Sequence, residues 1–238
     1  FIPSLHTMFQ KVIFCLLFLF IPLNRAAVNT VANSPFTSSE PVSELAAGEQ
    51  LFEEMELGGT VNFIAFRQAV AGYNRIKEKS KPILTLIDFS KPSTEKRFFV
   101  FDMEKKKLLY SSVVAHGRNS GENYATSFSN QYGSYKSSLG FYLTENTYQG
   151  GNGYSLILNG LEKGINDKAK ARSIVVHGAP YANPSVAASG RLGRSLGCPA
   201  LPTKLARPII NTIKDGSVMF IYANNPHYLA QSNILHKN

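Results

Sequence analysis

Cysteine is nearly missing from this 238-residue chain. Of its two cysteines, Cys15 stands inside an apolar N-terminal run that reads as an export leader, so the mature chain keeps Cys198 alone. A lone thiol excludes an intramolecular disulfide and, in an oxidising compartment, stands out as a reactive group. The alternative is an inert cysteine filling core space. No CxxC or HxxxH spacing occurs, so a metal site is not expected. No GxGxxG or P-loop pattern opens a helix, which removes nucleotide chemistry, and no cofactor is expected. Long hydrophobic runs are also missing. The strongest, Val12 to Ile21, has ten residues and is too short to span a bilayer comfortably, so a cleaved leader is favoured over a retained membrane anchor.

What is present is a basic, moderately apolar chain. Its 25 Lys and Arg outnumber 16 Asp and Glu, and losing Lys11 and Arg25 with the leader lowers the formal charge from +9 to +7. Such a balance suits an anionic polymer: membrane headgroups, acidic cell-wall peptides or nucleic acid. Export argues against nucleic acid. So does the scatter of the basic residues, which lack the interleaved aromatics of a single-strand binder.

Five segments are expected. Residues 1–27 read as a signal peptide with its start at Met8, and 28–42, rich in Ser, Thr, Asn and Pro, as a linker. Residues 43–81 are a helical prefix. Leu45, Leu51, Phe52 and Met55 suit a first helix ended by Gly58-Gly59. Asn62 caps a second that carries Phe63, Phe66, Val70, Tyr73 and Ile76. From residue 82 to 222 the period becomes that of strands, at Ile83 to Ile87, Phe98 to Phe101, Leu108 to Ala115, Phe141 to Thr144, Tyr154 to Leu158, Ser173 to Val176 and Ser217 to Tyr222. One helix interrupts them, Thr203 to Lys214, with Leu205, Ile209 and Ile213 on one stripe, where Pro208 implies a break or a late start. Residues 223–238 form a tail whose last dozen residues are expected to fray. Strands that do not alternate with helices argue for a mainly β fold with flanking helices, a sandwich or barrel, and against a doubly wound sheet. The polar stretch from His116 to Leu139 is too long for an idle connection and is expected to line or cover a site.

The chemistry concentrates between Gly190 and Leu201. Cys198 lies between Gly197 and Pro199, with Arg191 and Arg194 upstream, company ill suited to a core residue and expected to favour thiolate over thiol. His177, ending the apolar run Ile174-Val175-Val176 and followed by Gly178, is the candidate base. The Gly197 and Cys198 amides could face a developing oxyanion. His116 also precedes a glycine at a strand end and reads as substrate-side or structural. Ser195 lacks the glycine-flanked elbow of a hydrolase nucleophile, so Cys198 is preferred.

These residues carry a resemblance. Val176-His177-Gly178, a gap, and Ser195-Leu196-Gly197-Cys198 resemble the L,D-transpeptidase catalytic domain of bacterial cell-wall enzymes, whose pattern is His-Gly, a gap, and Ser-His-Gly-Cys. Ser138-Leu139-Gly140-Phe141-Tyr142 is similar to that family's turn entering a strand, and Gly193-Arg194-Ser195-Leu196-Gly197-Cys198-Pro199-Ala200 resembles a divergent branch of it. The chain departs from the pattern twice. Leu196 stands where a second histidine is usual, and Ala200 where Arg or Asn is frequent, so Arg191 or Arg194 would supply the substrate contact. The resemblance implies a Cys198 thioester acyl-enzyme on peptidoglycan stem peptides, with His177 as base and Arg191, Arg194, Ser195 and His116 on the substrate side. It also implies a location in the periplasm or cell envelope of a bacterium. Resolution by an amine would form 3→3 cross-links, and resolution by water would make an L,D-carboxypeptidase. Loss of the second histidine also motivates a non-catalytic wall-binding protein.

Overall fold

The apolar runs after Pro82 lie in the middle of a sheet. The computed structural model describes residues 42–236, so the expected leader and nearly all of the expected linker lie outside the described residues. In chain order the elements are α1 (Val42–Glu54), α2 (Phe63–Arg75), β1 (Ile83–Asp88), β2 (Phe98–Asp102), β3 (Lys107–Ser112), β4 (Gly140–Gly150) and β5 (Gly153–Gly160). There follow β6 (Val175–Gly178), α3 (Pro184–Ala187), β7 (Ala200–Leu201), α4 (Thr203–Ile213), β8 (Val218–Tyr222) and α5 (Pro226–Gln231).

All eight strands join one sheet, in the order β3-β2-β1-β8-β4-β5-β6-β7. Only β1 with β8 and β6 with β7 run parallel. Every residue of β1, β2 and β8 is buried, which is why these strands read as unbroken apolar runs without alternation. Beyond β3 the chain continues to Ala115, which exchanges both backbone hydrogen bonds with Ala200 of β7, at 2.8 and 3.2 Å. One end of the sheet is thereby linked to the other, and the sheet curls nearly shut. The fold is mainly β with flanking helices.

The helices cover this sheet. Asn62 caps α2, its Oδ1 accepting from the amides of Ile64 and Ala65, as its sequence position predicts. In α4 two expectations need correction. The helix starts at Thr203 and runs through Pro208, because Pro208 and Lys204, whose carbonyl loses its partner there, both lie on the exposed face. The buried stripe is Ala206, Ile209, Ile210 and Ile213, while Leu205 faces solvent.

The C-terminal residues up to 236 are likewise packed rather than frayed. Asn225 caps α5 through a bond from the Tyr228 amide, and Tyr228 and Leu235 are buried. Their anchor is Glu162, itself buried. It accepts from the Phe141 amide at 2.7 Å, the Tyr228 hydroxyl at 3.1 Å and the Ser232 hydroxyl.

His116 is enclosed completely and makes no surface available to a substrate. The Arg97 guanidinium lies 2.8 Å from its Nδ1, and since arginine only donates, Nδ1 must accept. The proton therefore sits on Nε2, which donates to the Gly121 carbonyl at 3.2 Å. Arg97 also holds the Val114 carbonyl through Nε and Nη2, so the pair fastens the chain just where it leaves the sheet. Burial and the Arg97 charge push His116 down to about 4, which keeps it neutral.

A buried neutral histidine makes stability sensitive to acid. The unfolded chain takes up a proton near pH 6.5 and the folded chain only near 4, so the stabilisation is present above 6.5 and lost as pH falls toward 4. Between pH 7 and 5 the wild-type protein is expected to lose about 2 kcal/mol more than His116→Gln, whose amide cannot titrate. Urea unfolding of both proteins at several pH values measures the difference. Parallel pH dependences would count against the assignment.

Candidate active site

The two-residue strand β7 determines where the cysteine goes. Ala200 pairs with His177 of β6 on one side and with Ala115 on the other, which holds the turn before it, Ser195 to Pro199, over the end of β6. There the Cys198 Sγ lies 3.5 Å from the Val175 amide and 3.5 Å from the Ser173 carbonyl. His177 follows Val175 by two positions and so leaves the strand on the same side. Cys198 and His177 line one cavity of about 350 Å³.

The turn is fixed from within and from below. The Ser195 hydroxyl accepts from the Gly197 amide at 3.0 Å and donates to the Cys198 carbonyl at 2.6 Å, closing the turn on itself. Below it, the Ser137 hydroxyl accepts from the Gly117 amide and donates to the Gly197 carbonyl, both at 3.0 Å. Gly197 has φ of 129°, and a Cβ there would stand 2.9 Å from the Lys136 carbonyl oxygen and 2.8 Å from Ile174 Cδ1. Only glycine fits both the backbone angle and the space. The long loop of residues 116–139 therefore supports the cysteine turn, and none of its residues is among those lining the cavity.

His177 is set up as a proton acceptor. Its Nδ1 lies 3.0 Å from the Gly178 carbonyl, which can only accept, so the proton is on Nδ1 and Nε2 carries the free lone pair. Burial lowers its proton affinity, partly opposed by the Gly178 bond. Burial also pushes the Cys198 thiol up, against the Val175 amide and the Arg172 charge, which lower it. The expectation of a resting thiolate is thereby corrected: a neutral thiol and a neutral imidazole share the cavity.

The other sequence candidates separate. Arg194 and Ser195 line the cavity with the pair, whereas Arg191 and His116 do not. Both arginines contact Glu122, Arg191 through Nε at 3.0 Å and Arg194 through Nη1 at 2.6 Å. Arg194 Nη1 also donates to the Arg118 and Gly121 carbonyls, while its Nε and Nη2 have no acceptor among the described residues. Of the two amides expected to face an oxyanion, that of Gly197 is engaged by Ser195, leaving that of Cys198. Leu196, in place of the family's second histidine, lies 58% exposed at the cavity's edge.

Four cavity residues were not anticipated. Asn152 comes from the β4–β5 turn, Tyr181 from the segment after β6, and Arg172 and Ser173 from the segment before it. Burial and the neighbouring Cys198 push the Tyr181 phenol up to about 12, so it stays a neutral donor. Among the described residues no group of His, Cys, Asp and Glu could hold a metal ion.

Replacing Gly197 with Ala is expected to lower stability by about 2 kcal/mol or more, because the new methyl meets backbone at an angle it disfavours. The urea midpoint should fall with the slope unchanged. An unaltered midpoint would contradict the close approach.

The family model described as the L,D-transpeptidase catalytic domain matches residues 58–222, taking in α2 and all eight strands. No curated protein matches the chain. Among solved structures it is similar to L,D-transpeptidase 3 from Mycobacterium tuberculosis, with 14% identity over 59% of this chain and 61% of that one, at a TM-score of 0.38. An L,D-transpeptidase from Mycobacterium smegmatis aligns at 13% identity, over 60% and 59%, with a TM-score of 0.36. One from Stackebrandtia nassauensis aligns at 14% identity, over 79% and 82%, also at 0.36. The chain thus spans about three-fifths of the length of the mycobacterial enzymes. With more than half of its residues matched to the family model, the chain belongs to the L,D-transpeptidase catalytic domain family.

Proposed function

We propose that this protein is a cysteine-dependent L,D-transpeptidase that acts on peptidoglycan stem peptides through an acyl-enzyme on Cys198. The observation that carries this reading is the shared cavity of Cys198 and His177, in which the imidazole tautomer leaves Nε2 free to accept. The donor carbonyl, between the L-centre of the third stem residue and the terminal D-alanine, enters beside the sulfur. His177 Nε2 takes the thiol proton as Sγ adds to that carbonyl, and the Cys198 amide stabilises the oxyanion. The imidazolium then protonates the departing D-alanine nitrogen, leaving a thioester. An amine from a second stem gives up a proton to the imidazole, attacks the thioester and restores the thiol, forming a 3→3 cross-link.

Because thiol and imidazole are both neutral at rest, the charges arise only during attack, when the substrate has displaced water from the cavity. Arg194 retains unengaged guanidinium donors at the cavity and pairs with a stem carboxylate. Tyr181 offers a neutral hydroxyl beside it. Residues 82–222 carry the strands and the site of the catalytic domain, and 43–81, whose second helix the family model takes in, serve as a scaffold packed on them. The basic charge of the chain favours the acidic wall polymer, and the leader directs export to the cell envelope. Among the described residues no helix is long and apolar enough to cross a membrane.

Incubation of the purified protein with tetrapeptide stems should release D-alanine and yield cross-linked dimers by mass analysis. Cys198→Ala and His177→Ala should each lower turnover by about a thousandfold or more. Shortened monomers without dimers would replace the transferase by a carboxypeptidase. Absence of any product would favour a wall-binding protein without catalysis.

A further inference from the structure

Two guanidinium groups line the cysteine cavity, and their surroundings differ. Arg194 lies against the Glu122 carboxylate. Arg172 has no carboxylate partner among the described residues. Its Nη1 donates to the Ser129 carbonyl at 2.7 Å and the Ser138 hydroxyl at 2.6 Å. Its Nη2 donates to the Ser134 hydroxyl at 3.2 Å and the Lys136 carbonyl at 2.6 Å. All four terminal N–H bonds thus end on neutral oxygens, and Nε is enclosed without an acceptor. Such a group keeps its whole positive charge, yet it cannot grip a substrate carboxylate without releasing the loop.

Its position beside the nucleophile is equally defined. Nη2 lies 3.5 Å from where a Cβ on Gly197 would stand, against the residue preceding Cys198. The carbonyl of the next residue along, Ser173, touches the sulfur itself. The charged and titratable groups facing Cys198 are Arg172 from the segment before β6, His177 on β6, Tyr181 after it and Arg194 from the cysteine turn. None is a carboxylate, so nothing at the cavity wall offsets the Arg172 charge.

From this geometry we infer that Arg172 is the fixed positive charge that stabilises the Cys198 thiolate as its proton passes to His177. It acts across space as an immobilised charge, while its hydrogen bonds keep it and the loop of residues 129–138 in place. Its catalytic consequence rests on the acyl-transfer reading above. The opposing pulls on the thiol, upward from burial and downward from the Val175 amide and Arg172, agree with it.

Iodoacetamide reports thiolate without any substrate, so its rate on Cys198 between pH 6 and 10 tests the inference directly. Arg172→Gln, which removes the charge and keeps an amide donor, should react about tenfold more slowly at pH 7.5, with its profile moved to higher pH. Arg172→Lys should stay within about threefold of wild type. The Ser134→Ala/Ser138→Ala double variant, which loses loop bonds and keeps the charge, should stay within about twofold. An unshifted Arg172→Gln profile would overturn the inference, as would a double variant or Arg172→Lys that slowed as much as the neutral one. Should Arg172→Gln fail to fold, the Lys and double variants decide by themselves, since a purely structural role requires both to lose reactivity. A shifted profile with no turnover of stem peptides would count against the acyl-transfer reading alone. Full turnover with an unshifted profile would count against the charge alone.

Discussion

The seating of Ala200 between His177 and Ala115 is the constraint on which the rest of the site depends. It is a small piece of sheet, the two residues of β7, of which Ala200 has a partner on either side. Yet it links the two ends of the sheet and fixes the cysteine turn at the end of the strand that carries the imidazole. The proposed catalytic pair is thereby assembled from backbone hydrogen bonds among buried residues, which leaves little freedom to drift from the geometry it needs. Arg97 and His116 hold the Ala115 side of this junction, and α4 packs on the β6 side, where a Cβ on Gly178 would stand 2.9 Å from Ala206.

Burial and charge oppose each other in the cavity. Enclosing the sulfur and the imidazole pushes both toward their neutral forms. The same enclosure strengthens whatever favours the thiolate once substrate excludes water. An arginine held by neutral acceptors, an amide aimed at the sulfur and a cavity wall without carboxylates all act in that direction.

How much of this was legible in the sequence depended on distance along the chain. Cys198 was singled out because it stands alone among small and basic residues, and His177 because an imidazole closes an apolar strand; the two line one cavity. The Asn62 cap was an equally local signal. Through-space relations were not readable. Arg191 and Arg194 are the cysteine's neighbours in sequence, but of the two arginines lining the cavity it is Arg172, at the entry to the His177 strand, that has no carboxylate partner among the described residues. His116-Gly117 and His177-Gly178 look alike as text, and only the approach of Arg97 shows that one is sealed. Strand β7 is too short to leave a pattern, and burial of the C-terminal helix depends on Glu162, far away in the chain.

The central claim is that the Cys198 sulfur carries the acyl group during turnover. Acid quenching of the protein with a tetrapeptide stem, followed by tryptic digestion and mass spectrometry, should find the stem acyl group on the peptide from Ser195 to Lys204. That adduct should be absent from Cys198→Ala and should disappear when an acceptor amine is added. Turnover without an adduct on that peptide, or an adduct elsewhere, would contradict the account.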